Sequence, residues 1–138
     1  MKLTAKGRYA VTAVAALARR GGGAVSLRTL SDEQGISLSF LEQMFSQLRR
    51  AGIVASQRGA RGGYRLAIPP EELTLDRIIH AVDVDIRAQG CTPERRSACT
   101  GQGEQCLTHD LWHALEQHVE SFFAGVTVAD VISERVPA

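Results

Sequence analysis

Three cysteines and a histidine lie within nineteen residues of this chain, and they include every cysteine that it contains: Cys91, Cys99, Cys106 and His109. Three thiolates and an imidazole can supply four ligands that suit zinc or an iron-sulfur cluster and do not suit magnesium or calcium. The tight Cys-x-x-Cys pair that is common in zinc sites is missing. From the residues alone, both zinc and an iron-sulfur cluster are open predictions.

The setting of these cysteines favours a metal over disulfides. The N-terminal stretch lacks the apolar core of a signal peptide, and the longest largely apolar run, residues 9–18, is too short to cross a membrane. We therefore expect a cytoplasmic protein with no membrane partner, where clustered thiols bind metals or do redox work. No set of nucleophile, base and acid emerges, so we expect no enzyme.

Charge divides the 138 residues into two halves, although the formal net charge is only +1. Residues 1–68 hold eleven Lys or Arg against three acidic residues, a balance of +8, whereas residues 69–138 hold five against twelve, a balance of −7. A basic half can neutralise nucleic-acid phosphates, and an acidic half is repelled by them. We predict a DNA-binding domain over 1–68 and a metal-binding and dimerisation region over 69–138.

The basic half has the helix pattern of a helix-turn-helix. Apolar periodicity predicts helices over 7–20 and 27–34, and a third from Ser37 or Ser39 to residue 51. Gly35 suits the left-handed turn between the last two. Ser39 and Glu42 have capping-box spacing, whereas Ser37 would give a longer first turn. An ordinary helical hairpin is the alternative.

A hairpin follows at once. Residues 53–56 and 64–66 predict two strands, and their turn carries Arg58, Gly59 and Arg61. This order predicts a winged-helix DNA-binding unit whose arginines enter a minor groove. Base-reading candidates at the start of the third helix are Ser37, Ser39, Phe40, Glu42 and Gln43, and candidates for contacts to the DNA backbone are Lys6, Arg8 and Arg28.

The acidic half predicts two amphipathic helices, at 75 to about 84 and at 107–125, and a short last helix that starts within 127–130. Between the first two, residues 86–105 lack periodicity, which favours a binding loop. The helix over 107–125 has one wide apolar stripe, formed by Leu111, Leu115, Val119, Phe122 and Val126 and broadened by Trp112 and Phe123. This width predicts a homodimer on a palindromic DNA site, and burial within one subunit is the alternative.

Four segments resemble the bacterial winged-helix iron-sulfur repressors: 1–14, 34–49, 58–64 and Cys106-Leu-Thr-His109. The last segment, with two cysteines before it, is similar to the branch that regulates cluster-assembly genes. The resemblance implies a mainly α fold, a winged helix-turn-helix with a two-stranded β-wing followed by a cluster-binding loop and a long dimerisation helix. It also implies a homodimeric transcription regulator with a [2Fe-2S] cluster on Cys91, Cys99, Cys106 and His109.

The cysteine spacing departs from that branch. Seven residues separate Cys91 from Cys99 and six separate Cys99 from Cys106, which are wider intervals than the branch has. Related family members with three cysteines resemble sensors of nitric oxide or iron that hold [4Fe-4S] clusters. A [4Fe-4S] cluster and zinc are therefore the alternative cofactors. The alternative functions are a zinc-binding or nitric oxide/redox-sensing winged-helix repressor and, from another class, a redox or cluster-carrier protein.

Overall fold

The computed structural model describes residues 5–60, 62–82 and 107–137. Within these ranges the chain forms six α-helices and one antiparallel pair of strands. In chain order the elements are α1 Ala5–Arg19, α2 Leu27–Gln34, α3 Leu38–Arg50, β1 Val54–Gln57, β2 Gly63–Leu66, α4 Leu75–Val82, α5 His109–Ala124 and α6 Val128–Ile132. The predicted fold class, a mainly helical winged helix-turn-helix with a two-stranded wing, is confirmed.

The helix-turn-helix consists of α2 and α3, and a serine caps each helix. Ser26 caps α2, and the Ser37 hydroxyl accepts a hydrogen bond of 3.2 Å from the backbone N–H of Phe40. Gly35 takes a left-handed φ of 68° between the helices, which glycine adopts without strain. The cap of the third helix is Ser37, because α3 begins at the next residue and Ser39 lies inside its first turn.

Element boundaries differ from the predicted ones by one or two residues. The helix predicted over 7–20 is Ala5–Arg19, and the helix predicted over 107–125 is His109–Ala124. The two strands begin one residue later and one residue earlier than predicted. Such shifts arise because the backbone hydrogen bonds of the terminal turns decide where an element ends, and periodicity does not report them.

The wing pairs antiparallel, with Val54 opposite Leu66 at its base. Tyr64 also exchanges two backbone hydrogen bonds of 2.9 Å with Val25, so the segment between α1 and α2 covers one edge of the hairpin. A Cβ at Gly63 would lie 2.2 Å from the Val25 carbonyl oxygen, and the Gly63 φ is 153°. Only glycine fits this position.

One apolar core runs through both halves of the chain. Phe45 of α3 is fully buried, and Leu73 and Val126 belong to the same cluster of buried side chains. Backbone hydrogen bonds from Leu75 to Val126 and from Val128 to Leu73 join the start of α4 to the start of α6 at 2.9 and 2.8 Å. The change of charge near residue 69 is therefore not a break in the hydrophobic core, and the functional division at that point stays a prediction.

The apolar residues of α5 differ in their exposure to solvent. Three large side chains are between 37% and 58% exposed: Leu111, Leu115 and Phe122. Val119 and Phe123 are half-buried, and Val126 lies beyond the helix in the core. The fold half-buries one margin of the predicted stripe and exposes the other, because a stripe this wide covers more of a helix than one neighbour can contact. No helix in the described ranges is long and apolar enough to cross a bilayer.

We expect Gly63→Ala to lower the free energy of unfolding by about 2 kcal/mol or more, because the new Cβ would meet the Val25 carbonyl and the backbone would be strained. Urea unfolding followed by circular dichroism measures this loss. Gly23→Ala is the matched control, since a Cβ at Gly23 meets nothing within 4 Å. Equal stability of the two variants would contradict the close contact between the wing and Val25.

Candidate nucleic-acid interface and metal centre

An open polar groove of about 540 Å³ brings together three of the five residues predicted to read bases. Its walls are the start of α1 and the exposed face of α3, and its lining residues are Lys6, Ser39, Glu42, Gln43, Ser46, Gln47 and Arg50. The groove thus combines two cations and one carboxylate with hydroxyl and amide groups. Such a set can contact both phosphates and base edges.

The other two predicted base-reading residues have structural contacts of their own. Ser37 caps α3, and the half-buried ring of Phe40 lies edge-on to Tyr9 of α1, with centroids 5.8 Å apart and planes at 87°. Edge-to-face pairs of this kind contribute about 0.5–1.5 kcal/mol. Phe40 therefore fixes the start of α3 against α1. Tyr9, which is 44% exposed beside it, was not predicted as part of this face.

The sequence analysis did not predict the residues that the second and third turns of α3 contribute to the groove. Ser46, Gln47 and Arg50 follow Gln43 at three, four and seven residues, a spacing that places them on the same helix face. That spacing was the available signal. The Oε1 atom of Gln47 is buried and has no hydrogen-bond partner among the described residues. A ligand that donates a hydrogen bond there would remove the cost of burying this oxygen.

The wing tip carries Arg58 and Gly59, both exposed, while Arg61 lies outside the described residues. The turn is tight: the Gly62 N–H donates to the Gly59 carbonyl at 2.9 Å, and Gly59 has a φ of 119°. The Arg49 guanidinium donates to the Ser56 hydroxyl at 3.5 Å, which links the end of α3 to β1. This contact joins the wing to α3.

The basic side chains predicted to contact DNA are available to it. Arg8, Arg28 and Arg58 are exposed and Lys6 is partly exposed. Within the described parts of the chain, none of these four forms an ion pair with a carboxylate, whereas Arg20 pairs with Glu33. Their positive charge is not neutralised inside the described fold.

The metal-ligand cluster is described at one residue only. His109 is the first residue of α5 and is 9% exposed, while Cys91, Cys99 and Cys106 lie outside the described residues. Across the described ranges, no three His, Cys, Asp or Glu side chains gather into a metal site. His109 is nevertheless the only buried polar or charged residue of the described chain.

The turn that presents His109 is held by a tryptophan. The Trp112 indole N–H donates to the Thr108 hydroxyl at 2.9 Å, and Thr108 occupies the N-cap position without capping the helix through its side chain. The ring of His113 lies parallel to that of His109, with centroids 6.4 Å apart and planes at 8°. Two imidazoles therefore lie on consecutive turns of the same helix.

The remaining histidines lie away from this turn. The Nε2 atom of His80 in α4 is 3.6 Å from the Oε1 atom of Glu120 in α5, and both side chains are about half exposed. His118 is exposed on α5.

A winged helix-turn-helix with an exposed polar groove along its third helix is the architecture of DNA-binding transcription regulators. Within that class the chain belongs to the Rrf2 family, whose description is "Iron-dependent Transcriptional regulator", since residues 3–134 match it. The chain is thus a transcription regulator and not an enzyme, and this finding favours regulation over the cluster-carrier alternative.

Relatives of known name cover nearly the whole chain. The HTH-type transcriptional regulator IscR of Aliivibrio salmonicida is 47% identical over 136 residues, which are 98% of this chain and 79% of that protein. IscR of Photobacterium profundum is 44% identical over 98% of this chain and 77% of its own length.

Solved structures of named regulators have the same fold as this chain. IscR of T. potens has a TM-score of 0.76 at 31% identity, over 97% of this chain and 88% of that chain. CymR (YrzC), the global cysteine regulator of B. subtilis, has a TM-score of 0.77 at 31% identity, over 97% of this chain and 98% of that chain.

Proposed function

We propose that this regulator senses the supply of iron-sulfur clusters. It binds a cluster through Cys91, Cys99, Cys106 and His109 and adjusts its DNA binding at cluster-assembly genes. The observation that carries the proposal is His109, an imidazole buried at the first residue of a helix and three residues after a cysteine. The iron-dependent family description and the name IscR of several relatives support it.

The residues around His109 fit an anionic cluster. The first turn of a helix has N–H groups without partners inside the helix, and its partial positive charge favours thiolate-bound clusters nearby. A neutral imidazole in place of a fourth thiolate makes the cluster less negative and raises its reduction potential. When bound, the cluster supplies a centre that responds to oxidants and to iron supply. We infer [2Fe-2S], with [4Fe-4S] and zinc as the alternatives that metal analysis separates.

Anaerobically purified protein should contain iron and acid-labile sulfide in equal amounts, about two of each per chain for [2Fe-2S] and about four for [4Fe-4S]. Cys106→Ala should lose both, together with the visible absorbance, because one of four ligands is gone. Its unfolding midpoint without the cluster should match that of cluster-free parent protein. His118→Ala, an exposed histidine on the same helix, should keep the cluster. Purified protein that contains zinc and no acid-labile sulfide would contradict the cluster proposal.

The DNA contacts follow from the groove and the wing. We infer that α3 enters a major groove, where Ser39, Glu42 and Gln43 face base edges, and that Lys6 approaches the phosphates. The wing tip reaches the adjacent minor groove. Arg8 and Arg28, exposed and without ion pairs in the described chain, add phosphate contacts. We infer that the protein works in the cytoplasm, because its named relatives are bacterial and bacterial DNA lies there.

Arg58→Ala should weaken binding to a duplex selected from a random pool and should reduce the slope of log affinity against log salt by about 1, because one phosphate-neutralising cation is lost. Fluorescence anisotropy at several salt concentrations measures both quantities. Arg77→Ala, an exposed arginine on α4 in the acidic half, is the control and should leave the slope unchanged. An unchanged slope for Arg58→Ala would count against the wing as a DNA contact.

The cluster and the DNA face can communicate through α4. This helix packs against α5, which begins at His109, and against both α1 and α3, which form the groove. Binding the cluster at the start of α5 would bias the position of α5 and hence of α4. The shift in DNA affinity can be no larger than the difference in cluster affinity between the two arrangements.

A homodimer would cover the exposed margin of α5. Leu111, Leu115 and Phe122 lie on one face of this helix, where they remain accessible to solvent in the single chain. A two-fold dimer through this face would present two α3 helices and two wings to a palindromic operator.

Leu115→Glu should convert the dimer to a monomer, because a carboxylate would be buried without a partner at the centre of the face. Analytical ultracentrifugation measures the mass. Gln117→Glu introduces the same charge at an exposed position of α5 outside the stripe and should leave the dimer intact. A parent protein that sediments as a monomer at micromolar concentration would overturn the dimer proposal.

A further inference from the structure

The first two turns of α5 hold two imidazoles on one face. His109 and His113 are four residues apart, their rings are parallel within 8°, and their centroids are 6.4 Å apart. His109 is buried, whereas His113 is exposed. Histidines at i and i+4 on a helix can bind one metal ion together.

We propose that His109 and His113 form a second metal site, which takes a divalent cation that prefers imidazole, such as nickel, copper or zinc, when the cluster is absent. The binding itself depends only on these two side chains. Its consequence, competition with the cluster for His109, rests on the function proposed above.

Metal binding needs a reorientation of the His113 ring, because an imidazole binds a metal in its own plane and the two stacked rings do not share one plane. Metal–nitrogen bonds of about 2.0–2.1 Å at an angle near 90–110° place two ring centroids about 4.5–5.3 Å apart, so the rings must also approach by about 1–2 Å. The exposed His113 side chain can make this movement by changing rotamer, which takes nanoseconds or less. Each imidazole has two nitrogens, so His109 could bind the metal through one and donate a hydrogen bond through the other.

The chemistry selects the cation class. Imidazole suits zinc, copper and nickel, and it does not suit magnesium or calcium. The other described histidines cannot complete the pair: His118 is five residues beyond His113 and faces another side of α5, and His80 lies against Glu120. Water can fill the remaining coordination positions.

Metal bound to this pair would block cluster assembly. A His109 ring that is turned toward His113 and holds nickel cannot offer the same nitrogen to an iron atom, so the cluster would lack its fourth ligand. The two occupants would be mutually exclusive, and excess nickel, copper or zinc would hold the regulator in its cluster-free form.

The first test isolates the imidazoles. Full-length protein with Cys91→Ser, Cys99→Ser and Cys106→Ser is titrated with nickel(II) by calorimetry. Two ligands on one scaffold bind roughly 10²-fold more tightly than one alone, so His113→Gln in this background should weaken nickel binding by about 100-fold. His118→Gln in the same background should bind nickel as the parent does. Unchanged affinity in His113→Gln, or an equal loss in His118→Gln, would overturn the site.

The second test measures competition in protein with all three cysteines. Cluster assembly from iron and sulfide is followed by visible absorbance with and without excess nickel(II). Nickel should slow assembly in the parent and in His118→Gln. The inhibition in His113→Gln should be at least several-fold smaller. Equal inhibition in all three proteins would refute competition through this pair. Failure to form a cluster without nickel would refute the proposed function and leave the first test to decide the metal site.

Discussion

The apolar face of α4 is the contact on which the rest of the structure depends. Its buried side chains are Leu75, Ile78, Ile79 and Val82, half of an eight-residue helix. Burial stabilises each by about 1.5–3 kcal/mol, whereas an isolated helix of this length is not stable in water. The helix α4 packs against α1, α3 and α5. It therefore depends on the core for its stability, and it also connects the groove to the helix that begins at His109. Close-packed interiors shift between discrete arrangements, which suits a regulator with two states.

The charge distribution divides the chain at residue 69, whereas the hydrophobic core does not. The core is continuous across residue 69, yet nearly all of the positive balance lies before it and the negative balance after it. In the proposed complex, Lys6 and Arg50 in the groove and Arg58 on the wing would face DNA, and phosphates would repel the acidic half. Such a charge distribution would favour one orientation of the protein on a duplex and would keep the proposed cluster ligands away from it.

The four histidines of this chain have different surroundings, which would suit them to different roles. His109 is buried at a helix start, His113 is exposed one turn later, His118 lies near the exposed apolar residues of α5, and His80 faces a carboxylate. The side-chain chemistry is identical in each case. Burial and the nearest neighbour decide whether an imidazole suits a cluster, a second metal or only the surface.

The sequence by itself determined the helix-turn-helix and the wing, because glycines at turns, serines at helix starts and apolar periodicity are local signals. The metal ligands that it indicates stay a prediction. Even there it left Ser37 and Ser39 as equal candidates for the cap. Only the tertiary structure decided that Tyr9 contacts Phe40, that α3 presents three turns to the groove, and which margin of α5 is half-buried. These features depend on which helices become neighbours, and contacts between distant segments leave no period in the sequence.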